Sequence, residues 1–198
     1  MRRLGGAALA AALALASPLP AEAHPHVFID TRITFVFSGA KMIGFRENWL
    51  FDDIFSDQLI QQFDTNQDGR FSKQESDGVA AGTLPNLAGF HYFTYVWLGG
   101  KMLPQITPTD FRAAIDSKRL VSFDFMVKLP KAIDPVRDGF ALEANDRTYY
   151  VQMLLAEKSP FAFTGLKGLA CKPNVEKDVA NAYYGGFVYP ERVTLKCH

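Results

Sequence analysis

Alternating hydrophobic and polar residues mark the beginning of the predicted folded region. The alternation covers residues 27–37, stops at Ser38 and Gly39, and resumes over residues 42–51. A period of two is typical of strands with one buried face, and two such runs joined by a short turn predict a β-hairpin.

A helical period follows the hairpin. Phe55, Leu59 and Phe63 recur every four residues, so they lie on one face of a predicted helix. Asp52 or Asp53 can cap the start of this helix, because a side-chain carboxylate accepts hydrogen bonds from the free N–H groups of a first turn.

The rest of the chain combines a second helix with several strands. Beyond a polar loop at residues 64–75, a weaker helix is predicted up to about residue 89, although Gly78 and Gly82 lower its propensity. Further strands are predicted at residues 92–98, 111–115, 120–129, 139–144, 148–155 and 187–196, with a short helix at 174–182. This pattern predicts an α+β fold, an antiparallel β-sheet or sandwich with one helix-loop-helix insertion near the N-terminus. No repeat or linker interrupts it, so residues 24–198 are expected to form a single domain.

Composition limits the function classes. The 198 residues include 21 basic and 21 acidic side chains, and 48% of them are hydrophobic. This is the composition of a globular chain, and no basic cluster follows the first few residues. We therefore expect neither nucleic acid nor an anionic membrane surface as a partner.

The first 23 residues resemble a signal peptide. Arg2 and Arg3 precede an apolar stretch at residues 4–16, and Ala21 and Ala23 supply small residues where signal peptidase cleaves. The stretch is shorter than the roughly 20 apolar residues that a membrane anchor needs. We expect cleavage after Ala23, a periplasmic location, and no membrane span in the mature chain.

The cysteine content agrees with export. Cys171 and Cys197 are the only cysteines in the sequence, and an oxidising compartment favours a disulfide between them. The alternative is a metal site that uses both thiols, although the CxxC spacing typical of such sites is missing.

The most specific motif lies in the polar loop. Residues 64–75, DTNQDGRFSKQE, match the calcium-binding pattern D-x-[DN]-x-[DN]-G-x5-E at every specified position. Calcium prefers oxygen ligands. The predicted ligands are Asp64, Asn66, Asp68, Arg70 through its carbonyl, Ser72 and Glu75. We expect an EF-hand-like segment at about residues 53–89 that binds a structural Ca²⁺; a polar loop that no longer binds calcium is the alternative.

Signal-peptide cleavage would expose a second group of metal ligands. The new N-terminus carries an α-amine, His24 and His26, and these nitrogen donors suit zinc, copper or nickel better than calcium. In a strand, His24, His26 and Asp30 share one face, so Asp30 could complete or orient the site, and His91 could converge on it. An ordinary exposed N-terminus that contains two histidines is the alternative.

Several segments resemble a known bacterial family. They are residues 23–30 (AHPHVFID), 49–52 (WLFD), 63–69 (FDTNQDG), 86–87 (NL) and 92–94 (YFT). They are similar to the periplasmic family known as domain of unknown function 1007, and the similarity extends over essentially the whole mature chain. The resemblance implies handling of transition metals outside the inner membrane, because the family is described as a periplasmic component of an uncharacterised transport system and accompanies nickel, cobalt or zinc permeases. Asn66 stands where an acidic residue is frequent in such loops, which lowers the expected calcium affinity.

Three functions fit these features. The preferred one is a metal-binding accessory protein, and not an enzyme, that buffers or delivers Zn²⁺, Ni²⁺ or Co²⁺ to a metal-ion permease or other transporter in the inner membrane. The first alternative is a copper-dependent enzyme with an N-terminal histidine brace, which needs the free amine of His24 and a third nitrogen such as that of His91. The second is an interaction module with structural calcium only. The sequence contains no GxSxG, HExxH or P-loop motif.

Overall fold

Two β-sheets and a pair of helices make up the part of the chain that the computed structural model describes, residues 25–198. The predicted signal peptide and His24 lie outside the described residues. In chain order the elements are β1 (Val27–Gly39), β2 (Lys41–Phe51), α1 (Asp53–Phe63), α2 (Lys73–Ala88), a 3-10 turn (His91–Phe93), β3 (Thr94–Leu98), β4 (Lys101–Met102), β5 (Pro108–Ile115), β6 (Val121–Ile133), β7 (Phe140–Ala144), β8 (Val151–Leu155), β9 (Phe161–Leu166), β10 (Cys171–Lys177), a second 3-10 turn (Tyr184–Gly186) and β11 (Glu191–Cys197).

The two sheets pack face to face around one apolar core. The larger sheet has the order β5-β6-β2-β1-β8, with β9 also paired to β1, and the smaller sheet has the order β10-β11-β7-β3-β4. Phe35 of β1 and Phe45 of β2 approach Phe140 of β7, with ring centroids 6.0 Å and 5.9 Å apart. The fold is therefore α+β, and of the two predicted arrangements the structure adopts the sandwich.

The hairpin and both helices form where the sequence predicts them. Asp52 caps α1, since its Oδ1 atom accepts a hydrogen bond from the backbone N–H of Phe55 at 2.8 Å. Gly82 of α2 has a packing role, because a Cβ atom there would lie 3.0 Å from the ring of Phe63, whereas one at Gly78 would make an ordinary contact at 3.9 Å. Glycine lowers the helix propensity of α2, but its missing side chain allows close contact between α1 and α2.

One edge of the larger sheet is parallel, which corrects the expectation of antiparallel pairing throughout. β8 pairs in parallel with the first part of β1, and β9 pairs in parallel with the second part. The two short strands follow one another along the same edge because β1 is 13 residues long. The sequence pattern does not predict β9, and alternation alone does not reveal which strands pair.

The predicted helix at residues 174–182 is wrong. Residues 171–177 instead form β10, which pairs antiparallel with β11 and places Cys171 directly opposite Cys197. After β10, the side chain of Asp178 accepts a hydrogen bond from the backbone N–H of Ala180 at 2.9 Å and forms a turn. Pairing with a distant strand thus overrides the local helical pattern.

The predicted disulfide between Cys171 and Cys197 is present and links β10 to β11. We expect the double substitution Cys171→Ser/Cys197→Ser to lower the free energy of unfolding by about 3 kcal/mol, because the unfolded chain gains loop entropy. Thermal unfolding followed by circular dichroism should show a melting temperature about 10 °C lower. A reductant should lower the melting temperature of the wild type but not that of the double variant. Equal melting temperatures for the oxidised wild type and the double variant would contradict this expectation.

Candidate metal-binding loop

The predicted calcium motif occupies the turn between the two helices. α1 ends at Phe63 and α2 begins at Lys73, so residues 64–72 form the loop and Glu75 lies in the first turn of α2. The Ser72 hydroxyl accepts a hydrogen bond from the Glu75 N–H at 3.2 Å, and the Glu75 carboxylate accepts one from the Ser72 N–H at 2.9 Å. This reciprocal capping fixes the last predicted ligand against the loop.

Asp64 organises the first half of the loop. Its side chain accepts hydrogen bonds from the backbone N–H groups of Asp68 at 3.2 Å and Gly69 at 2.9 Å. Gly69 has a φ of +77°, a left-handed conformation that glycine adopts without strain. The Asn66 side chain accepts from the Asp68 N–H at 3.1 Å, and the Asp68 carboxylate accepts from the Arg70 N–H at 2.9 Å. The backbone of the loop therefore holds three of the predicted ligands in place.

Glu75 closes the loop from the other side. Its Oε1 atom accepts hydrogen bonds from both the N–H and the hydroxyl of Thr65, each at 2.8 Å. The hydrogen bond from the Ser72 backbone, followed by those from Thr65 and the Ser72 side chain, lowers the pKa of Glu75 to about 2. The Glu75 carboxylate is therefore charged at neutral pH.

Negative charge collects in this loop without an ion pair to a basic side chain. Among residues 25–198, no ion pair involves Asp64, Asp68 or Glu75, and Lys73 pairs with Asp77 instead. Asp64 is 7% exposed and Glu75 is 8% exposed. Buried carboxylates destabilise a fold unless hydrogen bonds or positive charge compensate for lost hydration.

The side chains do not form a closed metal cage in this arrangement. In the described part of the chain, no three His, Cys, Asp or Glu side chains lie together in a way that could hold a metal ion. Neither the carboxylates of the loop nor His26, Asp30 and His91 form such a group. In the loop, the Glu75 carboxylate instead accepts hydrogen bonds from the backbone N–H groups of Thr65 and of Ser72, the residue that caps α2.

The helix pair is attached to the larger sheet by two buried serines. The Ser56 hydroxyl of α1 accepts a hydrogen bond from the backbone N–H of Val121 at 2.9 Å. The Ser76 hydroxyl of α2 accepts one from the backbone N–H of Ala113 at 2.8 Å. Because these N–H groups belong to β6 and β5, the geometry of the loop is coupled to the edge of the sandwich.

His26 and Asp30 lie on the exposed face at the start of β1. Their exposed side chains alternate with the buried Val27 and Ile29, as the predicted strand requires. The ring centroid of His26 lies 4.9 Å from that of Tyr150. His24 belongs to the residues that the structure does not describe.

His91 lies in a strained turn before β3. All three residues of this 3-10 turn have positive φ values: 55° at His91, 52° at Tyr92 and 52° at Phe93. Side chains with a Cβ atom avoid this region, so packing must hold the turn. The His91 ring packs against Tyr95, with centroids 5.2 Å apart, and Arg147 lies over the same tyrosine ring.

A buried carboxyl group that we did not predict lies in the core. Glu47 is fully buried, and its carboxyl accepts a hydrogen bond from the Trp49 indole at 2.7 Å and lies 3.0 Å from the Thr94 hydroxyl. That hydroxyl also lies 2.9 Å from the Tyr92 carbonyl, and its single proton cannot serve both acceptors. Burial raises the pKa of Glu47 to about 7, and a protonated Glu47 could donate to Thr94. The sequence contains the signal, because Glu47 has the same phase in β2 as the buried Phe45.

A second unpredicted carboxyl cluster lies on the smaller sheet. Arg192 of β11 pairs with Glu143 at 2.9 Å and with Asp178 at 2.8 Å, and its guanidinium lies over the Trp97 ring. Burial and the neighbouring Asp178 raise the pKa of Glu143 to about 7. Burial opposes ionisation of Asp178, but hydrogen bonds from Asn181, Glu143 and Arg192 lower its pKa to about 2. No local motif reveals this cluster, because strand pairing brings its members together.

Comparison with known proteins identifies the family. Residues 9–184 match the family described as "Protein of unknown function (DUF1007)". The chain belongs to this family. An "Uncharacterized protein" from Haemophilus influenzae is 28% identical over 164 residues, which cover 79% of this chain and 77% of the relative. An "Uncharacterized 15.5 kDa protein in trpE 3'region" from Spirochaeta aurantia is 30% identical over 132 residues, which cover 67% of this chain and 93% of the relative.

Two features of this DUF1007 protein bear on its location. The disulfide between Cys171 and Cys197 is consistent with an exported protein. None of the helices described within residues 25–198 is long and apolar enough to cross a membrane. The predicted signal peptide itself lies outside the described residues.

Proposed function

We propose that the protein is a periplasmic metal-binding accessory protein that buffers or delivers Zn²⁺, Ni²⁺ or Co²⁺ to a transporter in the inner membrane, with a structural Ca²⁺ in residues 64–75. It acts by binding and not by catalysis. The observation that carries the transition-metal part of this proposal is the exposed His26 imidazole beside the predicted N-terminus. The loop carries the calcium part, because oxygen donors occupy every ligand position of the motif and three carboxylates have no ion-pair partner among the described residues.

The free lone pairs of the loop carboxylates support the proposal of a calcium ion. Each carboxylate oxygen of Asp64 and Asp68 accepts a single hydrogen bond, which leaves a lone pair on each atom for a cation. The residues that would hold the ion are Asp64, Asn66, Asp68, the carbonyl of Arg70, Ser72 and Glu75. Calcium would supply the positive charge that the carboxylates lack.

The role proposed for calcium is to stabilise the fold. The loop joins α1 to α2, and both helices are attached to the larger sheet through Ser56 and Ser76. An ion that binds the folded loop and not the unfolded chain must raise the stability of the protein.

The transition-metal site is proposed for the processed N-terminus. The His26 imidazole is exposed, and no hydrogen bond within residues 25–198 involves its ring nitrogens. It is therefore available as a ligand together with His24 and the α-amine. Asp30 lies on the same face of β1, and we propose it as the carboxylate that completes or orients the site. His91 packs against the ring of Tyr95, so we propose it only as a secondary ligand of the transition metal.

A zinc titration of the processed protein tests this function. We expect calorimetry to show one Zn²⁺ bound per chain at micromolar concentration in the wild type, and loss of this binding in the His24→Ala/His26→Ala variant. His198→Ala is the matched control, because it removes an exposed histidine at the other end of the chain and should leave zinc binding unchanged. Equal zinc binding by the wild type and the double variant would refute the N-terminal site.

A redox assay separates the accessory function from a copper enzyme. The zinc-loaded protein should not oxidise ascorbate in the presence of oxygen or peroxide, whereas a copper-loaded histidine brace should turn over. Turnover that disappears when an additional N-terminal residue blocks the amine of His24 would contradict the accessory function and favour a histidine-brace enzyme.

A further inference from the structure

A cavity of about 220 Å³ lies between the larger sheet and the helix pair. The sheet provides Ile29 of β1, Trp49 of β2 and Phe123 of β6, and the helices provide Phe55 of α1 and Leu87 of α2. None of the proposed metal ligands among the described residues lines this cavity. It is therefore separate from both proposed metal sites.

The size of the cavity exceeds that of an ordinary packing gap. Protein cores are close-packed, and voids larger than a water molecule are few. An apolar cavity of about 150 Å³ accommodates benzene. The larger volume of about 220 Å³ leaves room for a six-membered ring with a small substituent. An empty apolar cavity lowers stability because its wall atoms lack neighbours, and a ligand that fills the cavity supplies them.

Exposed lining residues mark the opening of the cavity to solvent. Gly82 and Asn86 of α2 are exposed, and Tyr150, which precedes β8, is 57% exposed. The side chains of Thr83 and Leu87 are half-buried and also belong to the lining. A molecule that enters between α2 and the start of β8 can therefore contact accessible wall atoms.

The walls carry no charge. Among the described lining residues there is no Asp, Glu, Lys, Arg or His. The Thr83 hydroxyl donates a hydrogen bond to the Val79 carbonyl at 2.7 Å, and the Asn86 side-chain amide donates one to the Gly82 carbonyl at 3.1 Å. A charged molecule would lose its hydration inside without meeting an opposite charge. The cavity therefore favours an uncharged ligand.

Aromatic rings form a large part of the lining. The six aromatic lining residues are Trp49, Phe51, Phe55, Phe93, Phe123 and Tyr150. The Phe51 ring lies 5.1 Å from that of Phe55 and 4.6 Å from that of Phe123, measured between centroids. Aromatic pairs in such offset or edge-to-face arrangements gain more free energy than their contact area alone provides. An aromatic ligand can extend this cluster, whereas a saturated ring cannot.

We propose that this cavity binds a small uncharged molecule with one aromatic ring and at most a small substituent. The volume sets the size of the ligand, the absence of charge among the described lining residues sets its neutrality, and the aromatic walls set its preference for a flat ring.

Toluene, benzoate and methylcyclohexane are suitable probes, because they share a six-membered ring and differ in charge or aromaticity. In protein labelled with ¹³C at the isoleucine δ1 methyl groups, millimolar toluene should shift the resonance of Ile29, which lines the cavity. The resonance of Ile133, which is equally buried but does not line the cavity, should not move. Benzoate should not shift Ile29, and methylcyclohexane should bind at least about threefold more weakly than toluene.

Variants that fill the cavity provide a second test. Thr83→Leu adds apolar volume from the wall formed by α2, and Val151→Phe adds it from the wall formed by β8, so each should abolish toluene binding. Val136→Phe, at an exposed position outside the cavity, should leave toluene binding unchanged.

Three results would overturn the proposal. The site is refuted if saturating toluene does not shift the Ile29 resonance, or if toluene binding persists in Thr83→Leu, since the probe then binds elsewhere. Binding of benzoate as tight as that of toluene would contradict a neutral ligand, and equally tight binding of methylcyclohexane would contradict an aromatic one.

Discussion

Calcium is expected to raise the melting temperature of the wild-type protein by about 5–10 °C at a concentration one hundred times its dissociation constant. Binding to the folded state alone adds about 2.7 kcal/mol at that concentration, and one kcal/mol corresponds to about 2–4 °C in a chain of this size. The physical reason is the buried charge of Asp64 and Glu75, which no basic side chain in the described chain neutralises. Differential scanning calorimetry with excess calcium or excess chelator measures the effect.

Glu75→Gln should abolish this calcium-dependent increment, because calcium loops use a bidentate carboxylate at the final position. Asp77→Asn is the matched control: it removes an equal charge two residues further along α2, from an exposed carboxylate paired with Lys73. The control should keep the full increment. An increment of the same size in Glu75→Gln would show that calcium stabilises the protein at another place.

Glu47→Gln is expected to make the protein more stable than the wild type at pH 8 and about equally stable at pH 5. The pKa of Glu47 is about 7 in the folded protein and has the ordinary value of 4.5 in the unfolded chain. Between these values the folded state binds more protons, so the wild type loses stability as the pH rises through that window. The total loss is about 3 kcal/mol, at about 1.4 kcal/mol per pKa unit.

The geometry around Glu47 explains why glutamine is a suitable replacement. Its carbonyl can accept the hydrogen bond from Trp49, and its amide can donate to the Thr94 hydroxyl, as a neutral carboxyl does. Urea unfolding from pH 5 to pH 8 at constant calcium measures the difference. Glu157→Gln, at an exposed position between β8 and β9, should retain the pH dependence of the wild type. Parallel stability curves for Glu47→Gln and the wild type would contradict the shifted pKa.

Local patterns predict the first half of the fold well because its contacts are close in sequence. The hairpin of β1 and β2 follows from alternation over residues 27–51, and α1 follows from the spacing of its aromatic residues and from the cap at Asp52. β9 and the strand nature of β10 were missed because each depends on a partner far along the chain. The predicted helix at 174–182 failed for the same reason.

The candidate sites also differ in how close their residues lie in the sequence. The loop at residues 64–75 could be predicted because all its ligands lie within twelve positions. The position of His91 relative to His26 depends on tertiary packing, whereas alternation predicted the shared face of His26 and Asp30. The inward phase of Glu47 was visible in the sequence, but alternation alone does not distinguish a buried polar residue from an irregularity in the strand.

Native mass spectrometry with elemental analysis of the protein exported by its own signal peptide tests the central claim most directly. The predicted result is a chain that begins at His24 and carries one calcium and one transition metal. Glu75→Gln should lose only the calcium, and His24→Ala/His26→Ala should lose only the transition metal. A wild-type protein that carries calcium alone, and takes up no zinc, nickel or copper at micromolar concentration, would contradict the accessory function and favour an interaction module with structural calcium.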